Sequence, residues 1–238
     1  MQRYLLTEYA DACAETRAVY DDFMRTTGAT SVPLWLRSLG HSAALSRAYW
    51  ERAKGTLFGG SLPLPLKEMI VFVVSAKNGA RYCSACHAQS VLSLDKTLAF
   101  DDLKGFFGSD AGANLPAYYR TVVDFASKVV ADANRVPDED FEVLMDDGFS
   151  KEEICEIIAV IDLATISALV VEANPTMRTQ LRTMLNMSGI SKVQFAVTAG
   201  VAVRKLRDTR YDLILCEYHL GDGQDGQHLL EDLRHHSI

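Results

Sequence analysis

The order of hydrophobic and polar positions changes once along the chain, near residue 166. Before that point apolar residues recur every three to four positions, the period of an amphipathic helix. This spacing predicts helices over 5–24, 33–39, 42–55, 66–77, 82–92, 116–133, 137–146 and 150–167. The punctuation agrees. Thr26-Thr27-Gly28 stops the first helix, and Pro33 opens the second from its first turn. The stretch from Gly59 to Pro65, with two glycines and two prolines, is turn chemistry. Ser150 with Glu153 three residues later is a capping box. After residue 166, short apolar blocks at 168–172, 193–197 and 211–216 alternate with helical patterns at 175–187, 199–208 and 227–235. Such β–α alternation predicts a parallel sheet with crossover helices. The expected organisation is a mostly α domain over 1–165 and an α/β segment over 168–238, with no linker between them.

Composition narrows the classes. The 238 residues carry a net charge of −7, all of it within the first 165. An acidic chain does not grip nucleic acid by bulk electrostatics, so no nucleic-acid partner is expected. The longest apolar run, 154–171, is interrupted by Glu156 and Asp162, so no membrane span is expected. Glu8 and Asp11 fall where a secretory signal needs an apolar core. The expected compartment is therefore the cytoplasm. Five cysteines in such a chain predict free thiols, not a disulfide framework. Of these, Cys13 and Cys155 lie in apolar helical contexts and read as buried thiols. His41 and Trp50 read as pocket or filler residues.

Chemistry concentrates between Lys67 and His87. Glu68 begins an apolar helix, and Asn78-Gly79 permits a sharp reversal. Cys83 and His87 then lie four apart on one face of the next helix, with Cys86 three residues from Cys83. A helix N-terminus and a nearby imidazolium lower a thiol pKa. Glu68, folded back across the turn, is placed to orient His87, and Cys86 to resolve a sulfenic acid. Other readings of the same residues stay open: packed thiols, a zinc half-site, or the Cys83-x-x-Cys86-His87 string of c-type haem attachment. No metal or cofactor is expected.

From Tyr20 to Leu163 the chain resembles the carboxymuconolactone decarboxylase and alkylhydroperoxidase D-like family. The resemblance rests on Tyr20-Asp-Asp-Phe-Met, Pro33-Leu-Trp-Leu, Pro65-Leu-Lys-Glu-Met-Ile and Asn78-Gly-x-x-Tyr-Cys-x-x-x-His. It implies an all-helical bundle, usually oligomeric. It also implies, for the peroxidase branch, Glu68 as relay acid, Cys83 as the second cysteine of the reactive pair and His87 as relay histidine. The first cysteine of that pair falls on Ala80, so Cys86 is the one further thiol nearby.

The second segment resembles a two-component receiver domain, a flavodoxin-like fold. The resemblance rests on Leu169-Val-Val-Glu-Ala-Asn-Pro and on Asp212-Leu-Ile-Leu-Cys-Glu217, with the loop to Gly226. It implies an acidic pair after the first strand, here Glu172-Ala173, and a phosphoacceptor after the third, here Glu217. One acid is therefore lost. The longer Glu217 side chain either spoils in-line transfer or mimics a charged state. The sequence reaches Ile238 after three strands, so a truncated receiver that does not accept phosphate is expected. The leading expectation for function is thiol-dependent peroxide reduction by Cys83, Cys86, His87 and Glu68, drawing on an external thiol reductant in a homo-oligomer. The alternatives are a signalling or interaction protein built on a pseudo-receiver, and decarboxylase or lactone chemistry on a small carboxylic acid.

Overall fold

The computed structural model describes residues 6–104, 106, 115–165, 167–187, 190, 192–209, 211–220 and 225–235. Twelve α-helices and three strands occur among them. The first helix, α1 (Ala14–Thr27), starts nine residues later than the periodicity predicts. Cys13 is its N-cap, and residues 6–13 instead turn back so that the Thr7 amide donates to the Arg37 carbonyl. Gly28 ends α1 in the left-handed conformation at φ 72°, with its N–H bonded to the Met24 carbonyl. Next come α2 (Leu34–Leu39) and α3 (Ala43–Ala53), the latter capped by Ser42 and running on into a π-helical turn at Lys54–Phe58. These pack around Tyr20, Leu36 and Trp50, all buried. Trp50 is therefore a core residue, and His41 is exposed. The Trp50 indole donates to Asp22 at 2.6 Å and the Lys54 ammonium at 2.7 Å. The Lys54 and Trp50 bonds hold the Asp22 carboxyl at about 2.

The main helical core surrounds α4 (Leu64–Lys77), in which every residue from Leu66 to Ser75 is buried. A helix apolar on all sides belongs at the centre of a bundle. Around it stand α5 (Arg81–Leu94), α7 (Ala117–Asp132) and α9 (Lys151–Ala164). The short α6 (Phe100–Lys104) and α8 (Asp138–Asp146) close the ends. Ser150 and Glu153 form the predicted capping box, and α9 stops at Ala164, three residues short of the predicted end. After a gap of two residues the strand β1 (Ser167–Val171) begins.

In the second segment β1 lies between β2 (Lys192–Ala196) and β3 (Leu213–Cys216), all parallel, in the order β2-β1-β3. The connections are α10 (Pro175–Met187) and α11 (Ala199–Asp208), and α12 (Gly226–His235) follows β3. Side chains of β1 alternate between the two faces. Ala168 and Val170 meet Leu181 and Leu185 of α10, while Leu169 and Val171 meet Ala199 and Ala202 of α11 and Leu229 of α12. The chain is thus a mostly helical part followed by a small parallel sheet covered by helices. No helix among the described residues is long and apolar enough to cross a membrane.

Candidate functional site

The site is set by how α4 ends. Gly79 adopts φ 72°, its N–H donates to the Ala76 carbonyl, and the Ala80 N–H donates to the Ser75 carbonyl. This pair of bonds is a Schellman ending, which needs a residue tolerant of positive φ at that point. The reversal lays α5 antiparallel to α4, and His87 comes to face Glu68. His87 Nδ1 lies 2.6 Å from Glu68 Oε2. Glu68 is 6% exposed, and a carboxylate buried that deeply requires such a partner. With Nδ1 committed to the carboxylate, Nε2 is the basic atom of the ring.

Cys83 is half-buried one helical turn before His87, and Cys86 is exposed. All five cysteines are free thiols, and Cys13 and Cys155 are exposed, contrary to their reading as buried. The lowered thiol pKa expected from the helix N-terminus is reversed at Cys83. Burial, and then the neighbouring Cys86 charge, push the Cys83 thiol up to about 11. Burial and the same Cys86 thiol push the Tyr82 hydroxyl up to about 12. The cover over Cys83 comes from the second segment. The Cys83 thiol donates to the main-chain carbonyl of Asn186 in α10, at 3.5 Å. Ala80, where the family resemblance places a cysteine, is fully buried.

Behind the dyad sits a buried ion pair that sequence reading did not single out. Lys67, next to Glu68, is fully buried with its Nζ 2.8 Å from Glu156 Oε2 on α9. It also donates to the carbonyls of Thr56 and Gly59. Glu156 accepts the Ser61 N–H at 2.7 Å and the Leu62 N–H at 3.1 Å. Burial raises the Glu156 carboxyl, but Lys67 and these amides outweigh it and hold it at about 2. The pair pins residues 54–62 between α4 and α9. At the far end of α5, the buried Tyr119 hydroxyl donates to Asp95 at 2.8 Å, which fixes α7 against it.

In the sheet, Val171 of β1 pairs with Cys216 of β3, so Glu172 and Glu217 are neighbours one step beyond. The neighbouring Glu172 carboxyl, as a hydrogen-bonding group and then as a negative charge, raises the Glu217 pKa. Glu172 is buried and also accepts the Asn174 N–H at 2.8 Å. Receivers use such a site to hold a divalent cation, and these residues do not fit one. Ala173 supplies no side-chain oxygen, and Glu217 carries one methylene more than an aspartate acceptor, so the acidic oxygens a hard cation takes are too few and set at the wrong reach. No group of three or more His, Cys, Asp or Glu among the described residues could hold a metal. The 221–224 part of the following loop lies outside the described residues.

Comparison with known proteins matches both parts. The family model of the response regulator receiver domain matches residues 168–238. Among solved structures, the chain is similar to an uncharacterized peroxidase-related protein from Silicibacter sp. TM1040, with 26% identity and a TM-score of 0.57 over 67% of this chain and 82% of that one. It is similar in the same degree to the alkylhydroperoxidase AhpD core protein of Ralstonia eutropha JMP134, an uncharacterized peroxidase-related protein, with 27% identity and a TM-score of 0.57 over 67% and 83%. The debrominase Bmp8, at 17% identity and a TM-score of 0.54 over 82% and 93%, shares the fold. No curated protein matches the chain. The chain joins a helical part similar to alkylhydroperoxidase-like proteins to a receiver-like segment.

Proposed function

We propose that the helical part reduces alkyl hydroperoxides with Cys83 as the reacting thiol. The observation that carries this reading is the buried Glu68–His87 pair at 2.6 Å, one helical turn from Cys83. The Cys83 sulfur attacks the terminal peroxide oxygen. The O–O bond breaks, an S–O bond forms, and His87 takes the thiol proton and returns it to the leaving alkoxide. The products are Cys83 sulfenic acid and an alcohol. Glu68 holds the ring through Nδ1 so that Nε2 is left to face the reaction. Cys86 then attacks the sulfenic sulfur, water leaves, and a disulfide forms between neighbours on one helix face. An external thiol reductant supplies the two electrons that reopen it. The peroxidase-related neighbours at 26% and 27% identity support the same chemistry.

A second reading has one observation in its favour. With its pKa pushed up to about 11, Cys83 is almost wholly a neutral thiol at pH 7, whereas the Glu68–His87 pair alone suffices for acid–base chemistry on a small carboxylic acid. Thiol counting by mass spectrometry after an alkyl hydroperoxide separates the two. Loss of two thiols mapping to Cys83 and Cys86, and a dimedone adduct on Cys83 in Cys86→Ser, support peroxide reduction. Survival of all five free thiols overturns it.

A further inference from the structure

The receiver-like segment touches the thiol helix at one chemically pointed place. Helix α10 packs on α5, and its last turn sets the Asn186 carbonyl oxygen 3.5 Å from Cys83 Sγ. A carbonyl oxygen accepts a hydrogen bond from a thiol and repels a thiolate, so the contact suits the reduced, protonated sulfur alone. The face of the sulfur it occupies is closed to a peroxide. The other end of α10 is tied firmly. Asn174 Oδ1 accepts the Thr176 and Met177 amides, and Arg178 donates to the carbonyls of Glu172 and Ala173 at 2.9 and 2.7 Å. The Asn186 end is seated by Leu185, which is buried against Ala168 and Val170 and whose carbonyl accepts the Ile190 N–H at 3.0 Å. The side-chain Oδ1 of Asn186 is buried with no hydrogen-bond partner among the described residues, a desolvation cost that seating this turn does not recover. Displacing this last turn from α5 therefore gives up packing but lets that amide oxygen reach water, so the turn is the part of α10 with something to gain from moving.

We propose that α10 is a latch closed by the reduced Cys83 thiol, so that oxidation of Cys83 by a hydroperoxide unseats α10 and releases the receiver-like segment from the helical part. The inference rests on the reading of Cys83 as the peroxide-reacting thiol. The step is the one balanced above: one oxygen atom passes from ROOH to sulfur, and ROH leaves. Sulfenic acid places a further heavy atom on a sulfur whose neighbour sits at contact distance, and removes the S–H that the carbonyl accepted. The helical part then senses the oxidant, and exposure of α10 is the output.

The test uses the full chain, tert-butyl hydroperoxide, and hydrogen exchange read by mass spectrometry on peptides covering 175–187. With one equivalent of oxidant, exchange in α10 is expected to rise about fivefold or more in Cys86→Ser, and to stay unchanged when Cys83→Ser is added. Asn186→Trp, which crowds the seat, is expected to speed iodoacetamide labelling of Cys83 about tenfold at pH 7. The thiolate gain of returning from about 11 toward the ordinary 9.0 is partly offset by lower intrinsic nucleophilicity. Exchange protection in β1 checks that this variant keeps its sheet. If dimedone traps Cys83 sulfenic acid while α10 exchange is unmoved, the latch is wrong and peroxide reduction stands. If the sulfenic acid forms only in Asn186→Trp, α10 is a fixed cover and the switch is overturned. If it forms in neither, peroxide reduction and the latch both fall.

Discussion

Glu68 is the residue whose role the structure makes most specific. It is a buried carboxylate whose hydrogen-bond partner is one imidazole nitrogen, 2.6 Å away. Glu68→Gln keeps the shape and removes the charge, so the ring loses the partner that fixes its tautomer and orientation. Peroxide turnover is expected to fall about tenfold to a hundredfold. The far-ultraviolet circular dichroism should be unchanged, and initial rates of hydroperoxide consumption would check the fall. Equal rates in the two proteins would show that His87 does not work through Glu68. The partnership was legible in the sequence because Asn78-Gly79 forces a reversal between two helices, which fixes which residues face each other. The state of Cys83 was not legible. A helix N-terminus lowers a thiol pKa only while the thiol stays solvated, and the carbonyl that covers Cys83 belongs to Asn186, 103 residues away. A main-chain carbonyl leaves no signature in residue type.

Among elements, the helices followed their periodicity, and the misreadings have physical causes. Residues 6–13 carry a helical spacing of apolar positions, yet α1 starts only at Ala14, because the Thr7 amide is committed to the Arg37 carbonyl and the segment turns back toward α2. The five-residue α6 is too short for any period to show. The turn at 54–62 was legible as glycine and proline chemistry, but its anchor was not, because Lys67 and Glu156 lie far apart in sequence and read as ordinary helix charges. Gly60 shows how tightly the anchor is built. It sits at φ 78°, and a Cβ there would come within 2.3 Å of the Glu156 carboxylate. Removing one partner of a buried ion pair leaves the other charge unpaired. Glu156→Gln is therefore expected to cost about 3 kcal/mol, a fall in Tm of roughly 6–12 °C for a chain of this size. The pH dependence has a definite sign. The folded-state pKa of Glu156, about 2, lies below its ordinary 4.5. The stabilisation is present above pH 4.5 and drains away as pH falls from there toward 2. Urea titrations at pH 6 and pH 3 should show the variant and the parent converging at the lower pH. A constant gap would assign the loss to packing.

At the scale of the whole molecule, two parts of different architecture meet at a seam with almost no chain between them, α9 ending at Ala164 and β1 starting at Ser167. Both architectures were legible, because a helical period and a strand–helix alternation are hard to confuse over so many residues. Their contact was not, since neither part's pattern encodes the other's surface. The receiver-like segment has the β2-β1-β3 order and brings Glu172 and Glu217 together, so the strand pair that would align a phosphorylation site is present. What is changed is the chemistry at its tip. An aspartate-type acceptor needs a carboxylate at a set distance from a cation, and Glu217 is one methylene too long, with its pKa raised by the neighbouring Glu172. Incubation with acetyl phosphate and magnesium is expected to leave the intact mass unchanged, and magnesium alone to leave the Tm unchanged. A phosphoryl adduct mapping to Glu217 would show that the longer side chain still reaches the geometry of in-line transfer. The segment would then answer to phosphorylation as well as to whatever moves α10. Without that adduct, the contact that joins the thiol to the acidic tip of the sheet is α10, from Asn186 at Cys83 to Arg178 at the Glu172 carbonyl, which is where the proposed latch would act.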